Sequence, residues 1–338
     1  MRNKKWITLA AAVVLAVTAL PLGVFAAKKD ETKLAKVTLN EVAHSIFYAP
    51  QYVAIEEGYF KEEGLDLTLV TGFGADKTMT AVISGEAEIG FMGAEASVYA
   101  YQEGATDPVV NFAQLTQRAG NFLVAREEMS DFKWEDLKGK KVLGGRKGGM
   151  PEMVFEYILK KNGIDPQKDL TIDQSIDFGS TAAAFTGDDS AAYTVEFEPS
   201  ATILEKEGAG YVVASLGEAS GYVPYTSYSA KESYMKENPE IIQKFTNALQ
   251  KGMDYVQSHT PEEIAEVIAP QFKETDLDTI TTIVKRYYDQ DTWKENLIFE
   301  KDSFELLQDI LEDAGELNTR AEYEKLVQTE YAQKACES

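Results

Sequence analysis

Short β-like runs alternate with helix-like segments along most of the chain, and this alternation restricts the fold more than any other feature of the sequence. Before Gly120, β-branched or apolar runs of strand length occur at residues 36–42, 65–70, 88–92 and 109–117. Pro50 suits the first turn of an intervening helix, and Gly58, Gly85 and Gly104 suit helix ends. Because helices separate the strands, the pattern predicts an α/β fold with a mostly parallel sheet covered by helices.

A second series of the same kind follows Gly120. Its predicted strands are residues 121–126, 141–144, 170–174, 191–195 and 211–215, and its predicted helices are residues 151–162, 179–185 and 199–207. From residue 239 to residue 330 the pattern is almost wholly helical, with helix N-caps predicted at Asn238, Thr260 and Asp276. The sequence therefore predicts two α/β parts and a mainly helical C-terminal part.

The order of the two series predicts two lobes connected by two crossings of the chain. Lobe 1 is expected to be discontinuous, with residues 36–118 plus 226–338, and lobe 2 is expected to be the insertion, residues 119–225. A chain of 338 residues, 44% of them apolar, is long enough to bury two cores. The crossings would form a hinge, and the cleft between the lobes would face the carboxyl ends of the strands, where open α/β sheets bind ligands.

The N-terminal segment has the features of a secretory signal. Arg2, Lys4 and Lys5 precede an uncharged apolar run over residues 6–24, and Val24 and Ala26 occupy the −3 and −1 positions of a cleavage site. Residues 1–26 are therefore predicted to be a signal peptide. An uncleaved membrane anchor is the alternative, because the apolar run is just long enough to span a bilayer. In both cases we expect the rest of the chain in the periplasm or at the outer face of the cytoplasmic membrane.

Charge and cysteine content limit the possible partners. Loss of three basic residues with the signal peptide would change the formal net charge from −23 to −26, which repels nucleic acid and anionic membrane surfaces. The single cysteine, Cys336, allows no internal disulfide and no thiolate cluster for a metal. We expect a monomer that uses no cofactor.

Six motifs, taken in order, carry a resemblance to a known family. They are HSIFYAPQYVA at residues 44–54, GYF at 58–60, EGL at 63–65, GEAEIG at 85–90, GGRKGGMP at 144–151 and FEP at 197–199. This ordered set resembles the substrate-binding proteins of the sulfonate, nitrate and thiamine-precursor group of ABC importers. The resemblance implies the type II periplasmic-binding-protein fold, hinge closure over a small-molecule ligand and docking onto a membrane permease. It leaves the ligand open, since members of the group bind organic or inorganic anions or aminopyrimidine precursors.

Aromatic candidates for ligand contact in lobe 1 follow the first two strands. His44 and Tyr48 lie in the loop after the first strand and offer an imidazole and a phenol, although a loop histidine is also often a structural residue. Phe73 follows the second strand beside Gly74, where the backbone can approach a ligand closely and the ring could stack on it. A simple tight turn explains the same residues.

Polar candidates in lobe 1 follow the next two strands. Glu95 begins a helix, so its carboxylate either interacts with the helix dipole or accepts a hydrogen bond from the ligand. Gln117 ends the fourth strand beside the predicted hinge and can both donate and accept.

In lobe 2 the GGRKGGMP motif leads into a helix with Pro151 near its first position. Gly148 and Gly149 could then present free backbone N–H groups to an anion or a carbonyl group, with Arg146 and Lys147 supplying charge. Lys147 could equally be a solvated loop residue.

Two glutamates and a tyrosine complete the predicted site. Glu196 and Glu198 flank Phe197 on the same side of a strand end, where their carboxylates could accept hydrogen bonds from an amine or a ring edge. Glu198 could instead cap the helix that begins at Pro199. Tyr225, at the return crossing, offers aromatic surface or core packing.

These residues favour a binding protein for an ABC importer, with a flat amine-bearing heterocycle such as a thiamine-type aminopyrimidine as ligand. An alkanesulfonate or a similar anion is the alternative ligand. The pyrimidine-synthesising enzyme of the same fold depends on iron-binding histidines and cysteines, whereas this chain has only His44 and His259 and no cysteine near the cleft. We therefore expect no enzymatic activity. A ligand sensor for a membrane receptor remains open.

Overall fold

Two five-stranded sheets of matching topology form the framework of the computed structural model, which describes residues 34–177 and 179–337. The predicted signal peptide, residues 1–26, lies outside the described residues. The residues from Leu34 onward form one compact unit that contains both sheets. The division of this unit into lobes at residues 118/119 and 225/226 stays a prediction.

The first sheet has the strand order β2-β1-β3-β10-β4. Its strands are β1 (Ala35–Glu41), β2 (Leu65–Thr71), β3 (Ile89–Met92), β4 (Val109–Thr116) and β10 (Thr226–Lys231). Strand β1 pairs in parallel with β2 and β3, whereas β10 runs antiparallel between β3 and β4. The four strands from the first series are thus parallel to one another, as predicted.

The second sheet has the order β7-β6-β8-β5-β9. Its strands are β5 (Asn121–Ala125), β6 (Lys141–Leu143), β7 (Thr171–Asp173), β8 (Tyr193–Phe197) and β9 (Tyr211–Ser215). Here β5 is the antiparallel strand, paired with β8 and β9. The two sheets therefore share one plan, with a single reversed strand next to one edge strand.

Strand β10 is not predicted by the sequence, because its residues are mostly hydroxylated and lack an apolar run. The tertiary structure buries it in the first sheet, where its polar groups find partners. Ser227 Oγ donates to Asn111 Oδ1 at 2.6 Å, and Tyr228 Oη donates to Gln51 Oε1 at 2.9 Å. These hydrogen bonds satisfy polar groups of the strand that burial removes from water.

Helices cover both sheets and dominate the C-terminal part, as predicted. Those of the two α/β series are α1 (Ala49–Glu56), α2 (Tyr59–Glu62), α3 (Ala75–Ser84), α4 (Glu95–Gln102), α5 (Met150–Lys161), α6 (Thr181–Gly187), α7 (Ser200–Lys206) and α8 (Leu216–Ser220). The C-terminal helices are α9 (Glu232–Glu237), α10 (Pro239–Ser258), α11 (Pro261–Ile268), α12 (Leu277–Asp289), α13 (Lys301–Asp313), α14 (Tyr323–Leu326) and α15 (Glu330–Cys336). None of the helices in the described residues is long and apolar enough to span a membrane.

Two of the three predicted helix caps form with their side chains. Thr260 Oγ1 accepts a hydrogen bond from the amide of Glu263, and Asp276 Oδ1 accepts one from the amide of Thr279. Asn238 precedes α10, but its side chain donates to the carbonyl oxygen of Tyr234 in α9 at 3.2 Å and does not cap α10.

The chain passes between the two sheets at residues 117–120 and 216–225, and these two segments are hydrogen-bonded to each other. The amide of Val223 donates to the carbonyl oxygen of Gln117 at 2.8 Å. Phe47 packs beside the first crossing, and a Cβ atom at Gly120 would lie 2.7 Å from its ring, so only glycine fits there. The aromatic ring thereby places the crossing directly against the core of the first sheet.

Candidate functional site: a cleft between the two sheets

A cleft of about 910 Å³, counted out to its solvent-facing mouth, is lined by residues from both sheets. Val42 follows β1, Gly93 follows β3, Gly144 follows β6 and Phe197 ends β8, and all four line the cleft. The cleft therefore lies at the carboxyl ends of parallel strands in both sheets, where open α/β sheets place their ligands.

Six of the twelve predicted site residues line this cleft, and six do not. The lining residues are Tyr48, Gly74, Glu95, Gly149, Glu196 and Tyr225. The residues outside the lining are His44, Phe73, Gln117, Lys147, Gly148 and Glu198.

His44 is a structural residue of the loop after β1. One ring nitrogen lies 2.8 Å from Glu41 Oε1 and the other lies 2.9 Å from the carbonyl oxygen of Gln271. The ring also packs against Tyr52 and Phe272. The bond to Glu41 raises the pKa of His44, which fits a side chain paired with a buried carboxylate.

Phe73 lies next to the cleft but turns its side chain to solvent. Its side chain is 66% exposed, and its backbone has a φ of 57°, a conformation that aromatic residues rarely adopt. Gly74, the next residue, lines the cleft with its backbone. The turn therefore contributes main chain to the cleft, and its aromatic ring contributes none of the lining.

The side chains of Gln117 and Lys147 bind partners that lie outside the cleft lining. Gln117 Nε2 donates to the carbonyl oxygen of Asp291 at 3.2 Å, so this side chain links the first crossing to the segment after α12. Lys147 Nζ pairs with Glu316 Oε1 at 3.3 Å, and its side chain is 67% exposed.

Gly148 and Glu198 have other partners within the chain. The carbonyl oxygen of Gly148 accepts a hydrogen bond from Tyr99 Oη at 3.0 Å. The fully buried carboxylate of Glu198 accepts bonds from the amide and hydroxyl of Thr202 and from Arg286. The alternative interpretation of Glu198, as a cap of the helix after Pro199, matches its bond to the Thr202 amide in α7.

Glu95 is the cleft residue with the most unusual environment. It begins α4 and is only 3% exposed, and its Oε2 atom has no hydrogen-bond partner among the described residues. Burial raises the pKa of Glu95 to about 7, and the amides of Glu95 and Met150 and the guanidinium of Arg146 oppose the rise. A buried acceptor without a donor costs free energy, so this atom is suited to a donor from a ligand.

Glu196 offers a second buried carboxyl group, from the second sheet. Thr181 Oγ1 donates to its Oε2 at 3.0 Å, and Thr194 Oγ1 donates to its Oε1 at 2.6 Å. Burial raises the pKa of Glu196 to about 7, while the two hydroxyl groups oppose the rise. Each carboxylate oxygen has a further lone pair that can accept from a ligand.

Aromatic rings from both sides complete the cleft. Tyr48 is 3% exposed and packs edge-on against Phe91, and burial raises the pKa of its hydroxyl group. Tyr225 Oη donates to Asn121 Oδ1 at 2.5 Å, which connects the return crossing to the start of β5. Phe197 lies near Tyr225, with 6.3 Å between the ring centroids.

Polar residues outside the twelve predicted site residues also line the cleft. Arg146, predicted together with Lys147 as a source of charge, is one of them, and its Nη1 atom lies 3.8 Å from Asp76 Oδ1. Asn121 and Thr181 are two others. In the sequence, the only signal for Asn121 and Thr181 is their position at the start of a strand and of a helix. This signal is weak, because short polar residues are common at such positions.

Neither His44 nor His259 lines the cleft. His259 stacks on Tyr255 in the C-terminal part. Among residues 34–177 and 179–337, no group of three or more His, Cys, Asp or Glu side chains is placed to hold a metal ion.

The fold is that of the periplasmic binding proteins. The alkanesulfonate-binding protein SsuA from Xanthomonas axonopodis pv. citri, bound to MOPS, matches with a TM-score of 0.70 at 15% identity, over 88% of this chain and 99% of that one. The ligand-binding component of an ABC-type import system from Staphylococcus aureus matches with a TM-score of 0.72 at 14% identity, over 90% and 100% of the two chains. These matches confirm the predicted fold class.

The chain belongs to the NMT1/THI5-like family, whose model matches residues 46–264. It is 48% identical over 309 residues to YtlA of Bacillus subtilis (strain 168), whose name describes a binding protein and specifies no ligand; the match covers 91% of this chain and 92% of YtlA. It is 24% identical over 225 residues to the 4-amino-5-hydroxymethyl-2-methylpyrimidine phosphate synthase THI11 of Saccharomyces cerevisiae, covering 62% and 63% of the two chains. The family resemblance inferred from the motifs is thus confirmed.

Proposed function

We propose that the protein captures a small solute in this cleft and delivers it to a membrane permease, as the extracytoplasmic binding component of an ABC importer. The observation that carries this proposal is a cleft at the strand ends of both sheets, with one buried carboxyl group from each side. A solute between these walls would contact both sheets at once, which couples binding to closure of a hinge. The name of YtlA and the description of the Staphylococcus aureus component support the same class.

The favoured ligand is a flat heterocycle that carries an amine, such as an aminopyrimidine related to thiamine precursors. Glu95 and Glu196 offer acceptors to amine or ring N–H groups, and Tyr48, Phe197 and Tyr225 offer aromatic surface. The name of the yeast relative, a hydroxymethylpyrimidine phosphate synthase, supports this chemistry from outside the chain.

An alkanesulfonate or a similar organic anion is the second candidate ligand. Arg146 lines the cleft, and SsuA, which shares the fold, was bound to a sulfonate buffer molecule, MOPS. Arginine binds such anions through paired hydrogen bonds. The two buried glutamates argue against this ligand above pH 7, where their carboxyl groups are ionised and repel an anion.

Catalysis is the alternative of another class, since several relatives are named as synthases. We propose a binder without turnover, because the cleft of the described residues presents carboxyl, hydroxyl and guanidinium groups but neither histidine of the chain. Export, monomeric state and a permease partner belong to the same proposal.

The proposal is tested by mass spectrometry of the small molecules that co-purify with the protein, followed by thermal-shift screens of aminopyrimidines and alkanesulfonates. A stoichiometric ligand at 100 times its Kd should stabilise the fold by about 2.7 kcal/mol. Steady consumption of the co-purified molecule by pure protein would overturn the proposal, and so would the absence of stabilisation by every molecule tested.

A further inference from the structure

The N-terminus of α5 would be an anion site in most settings, but here the chain itself occupies it. The amide of Gly148 donates to Glu152 Oε2 at 3.2 Å, and the amide of Gly149 donates to the carbonyl oxygen of Arg146 at 3.3 Å. The amide of Met150 faces the carboxyl group of Glu95, and Pro151 has no N–H. The amides of Gly148, Gly149 and Met150 are therefore already directed at acceptors of the chain.

Glu95 reaches this place from the other sheet. It begins α4 after β3, and its carboxyl group folds back over Gly93, so that a Cβ atom at Gly93 would overlap it. One turn further along α4, Tyr99 Oη donates to the carbonyl oxygen of Gly148. Glu95 and Tyr99, one turn apart on the same face of α4, thus both contact the chain around the start of α5. This packing determines the position of the Glu95 side chain.

The geometry also leaves one oxygen of Glu95 unused. Its Oε2 atom is buried without a partner among the described residues, and Gly149, Met150 and Arg146 line the same cleft. An incoming anion would meet a carboxylate at the α5 terminus, whereas an incoming N–H group would meet a free acceptor.

We propose that Glu95 sets the charge selectivity of the cleft: it takes the anion-binding position at the N-terminus of α5, excludes anionic solutes and accepts a hydrogen bond from a neutral or cationic one. This inference rests on the proposed function, because it specifies the ligand class of the same cleft. It assigns to one residue the choice between the two candidate ligand classes.

The test is a gain of binding, measured by calorimetry with ethanesulfonate at pH 8 and low ionic strength. The variants are Glu95→Ala, which removes the carboxyl group and exposes the Met150 amide, and Glu95→Gln, which removes the charge alone. Glu103→Gln is the matched control, because it removes one negative charge from the exposed C-terminal end of the same helix. We expect the affinity for ethanesulfonate to rise at least tenfold in Glu95→Ala and less in Glu95→Gln, with no change in Glu103→Gln.

Two results would overturn the inference. The first is wild-type protein that binds ethanesulfonate as tightly as Glu95→Ala does, which would leave solute capture intact and assign an anion as ligand. The second is a Glu95→Ala or Glu95→Gln protein that melts cooperatively but gains no affinity for the sulfonate. Because these experiments need no knowledge of the natural ligand, their failure is distinct from a failure to find one.

Discussion

Arg286 and Glu198 form an ion pair that connects α12 to the turn after β8, with 2.7 Å between Nη1 and Oε1. The carboxylate of Glu198 is fully buried, and Arg286 also pairs with Glu205 of α7 at 2.5 Å. Glu198, which the sequence places beside Glu196 at the end of a strand, is thus engaged by the C-terminal helices. Its role here is to hold α7 and α12 together.

Substitution of Arg286 with methionine should destabilise the fold strongly. Methionine has a similar length but leaves Glu198 buried without its charged partner, which costs about 3–5 kcal/mol when one member of a buried pair is removed. The free energy of unfolding in urea measures this loss.

Arg320→Met is the control for Arg286→Met. Arg320 pairs with Glu305, Asp309 and Glu312 on the surface, where solvent screens the charges, so its loss should change the free energy of unfolding far less. Equal losses in the two variants would show that the Arg286–Glu198 pair is not buried as described.

Ligand affinity should depend on Glu196 and hardly on Lys147. If the ligand carries an amine or a protonated ring edge, Glu196→Gln should weaken binding of the co-purified ligand by about 1.5–3 kcal/mol in calorimetry. Lys147→Met should have little effect, because Lys147 is exposed, lies outside the cleft lining and pairs with Glu316. A large loss confined to Lys147→Met would identify an anionic ligand and a different binding site.

The stability of the protein should depend on pH through Glu95. Its pKa rises from an ordinary value of 4.5 to about 7, so between these values the folded protein binds a proton that the unfolded chain does not. This contribution to stability is complete below pH 4.5 and is lost as the pH rises through 7. The groups that face Glu95 are Arg146 and the hydroxyls of Tyr48, Tyr99 and Tyr225.

Glu95→Gln removes the titrating group and should therefore gain stability relative to wild type as the pH rises. Between pH 4.5 and pH 8 the difference in the free energy of unfolding should grow by on the order of 3 kcal/mol. Urea unfolding at several pH values measures it, with the exposed Glu103→Gln variant expected to follow wild type. Parallel curves for wild type and Glu95→Gln would contradict a buried carboxyl group at this position.

Ligand binding should bring the two sheets together about the crossings at residues 117–120 and 216–225. The crossings are hydrogen-bonded to each other, so they can bend as one unit while contacts across the cleft form. Small-angle X-ray scattering should show a smaller radius of gyration with saturating ligand. An unchanged radius would mean that the cleft binds without closure.

The sequence alone predicts the alternating series, the α/β class, nine of the ten strands found in residues 34–177 and 179–337, and the helical C-terminal part. These features are local, because strand length, helix caps and glycine stops act within a few residues of one another. The Thr260 and Asp276 caps illustrate this, since each binds an amide three residues away. Strand β10 cannot be predicted in this way. Its hydroxyl groups can be buried only because Asn111 and Gln51, from distant segments of the chain, bind them.

The roles of the glutamates were decided by the tertiary structure. Glu196 and Glu198 look equivalent in sequence, yet Arg286, 88 residues away, engages Glu198, while Glu196 lines the cleft. Likewise, only the packing of α4 against the start of α5 brings the Met150 amide to the carboxyl group of Glu95, which also interacts with the amide at the start of its own helix. The charge and hydrogen-bonding capacity of a residue can be read from the sequence. Its burial and its partners depend on elements far apart in the chain, and burial and partners determine which carboxyl group is available to a ligand.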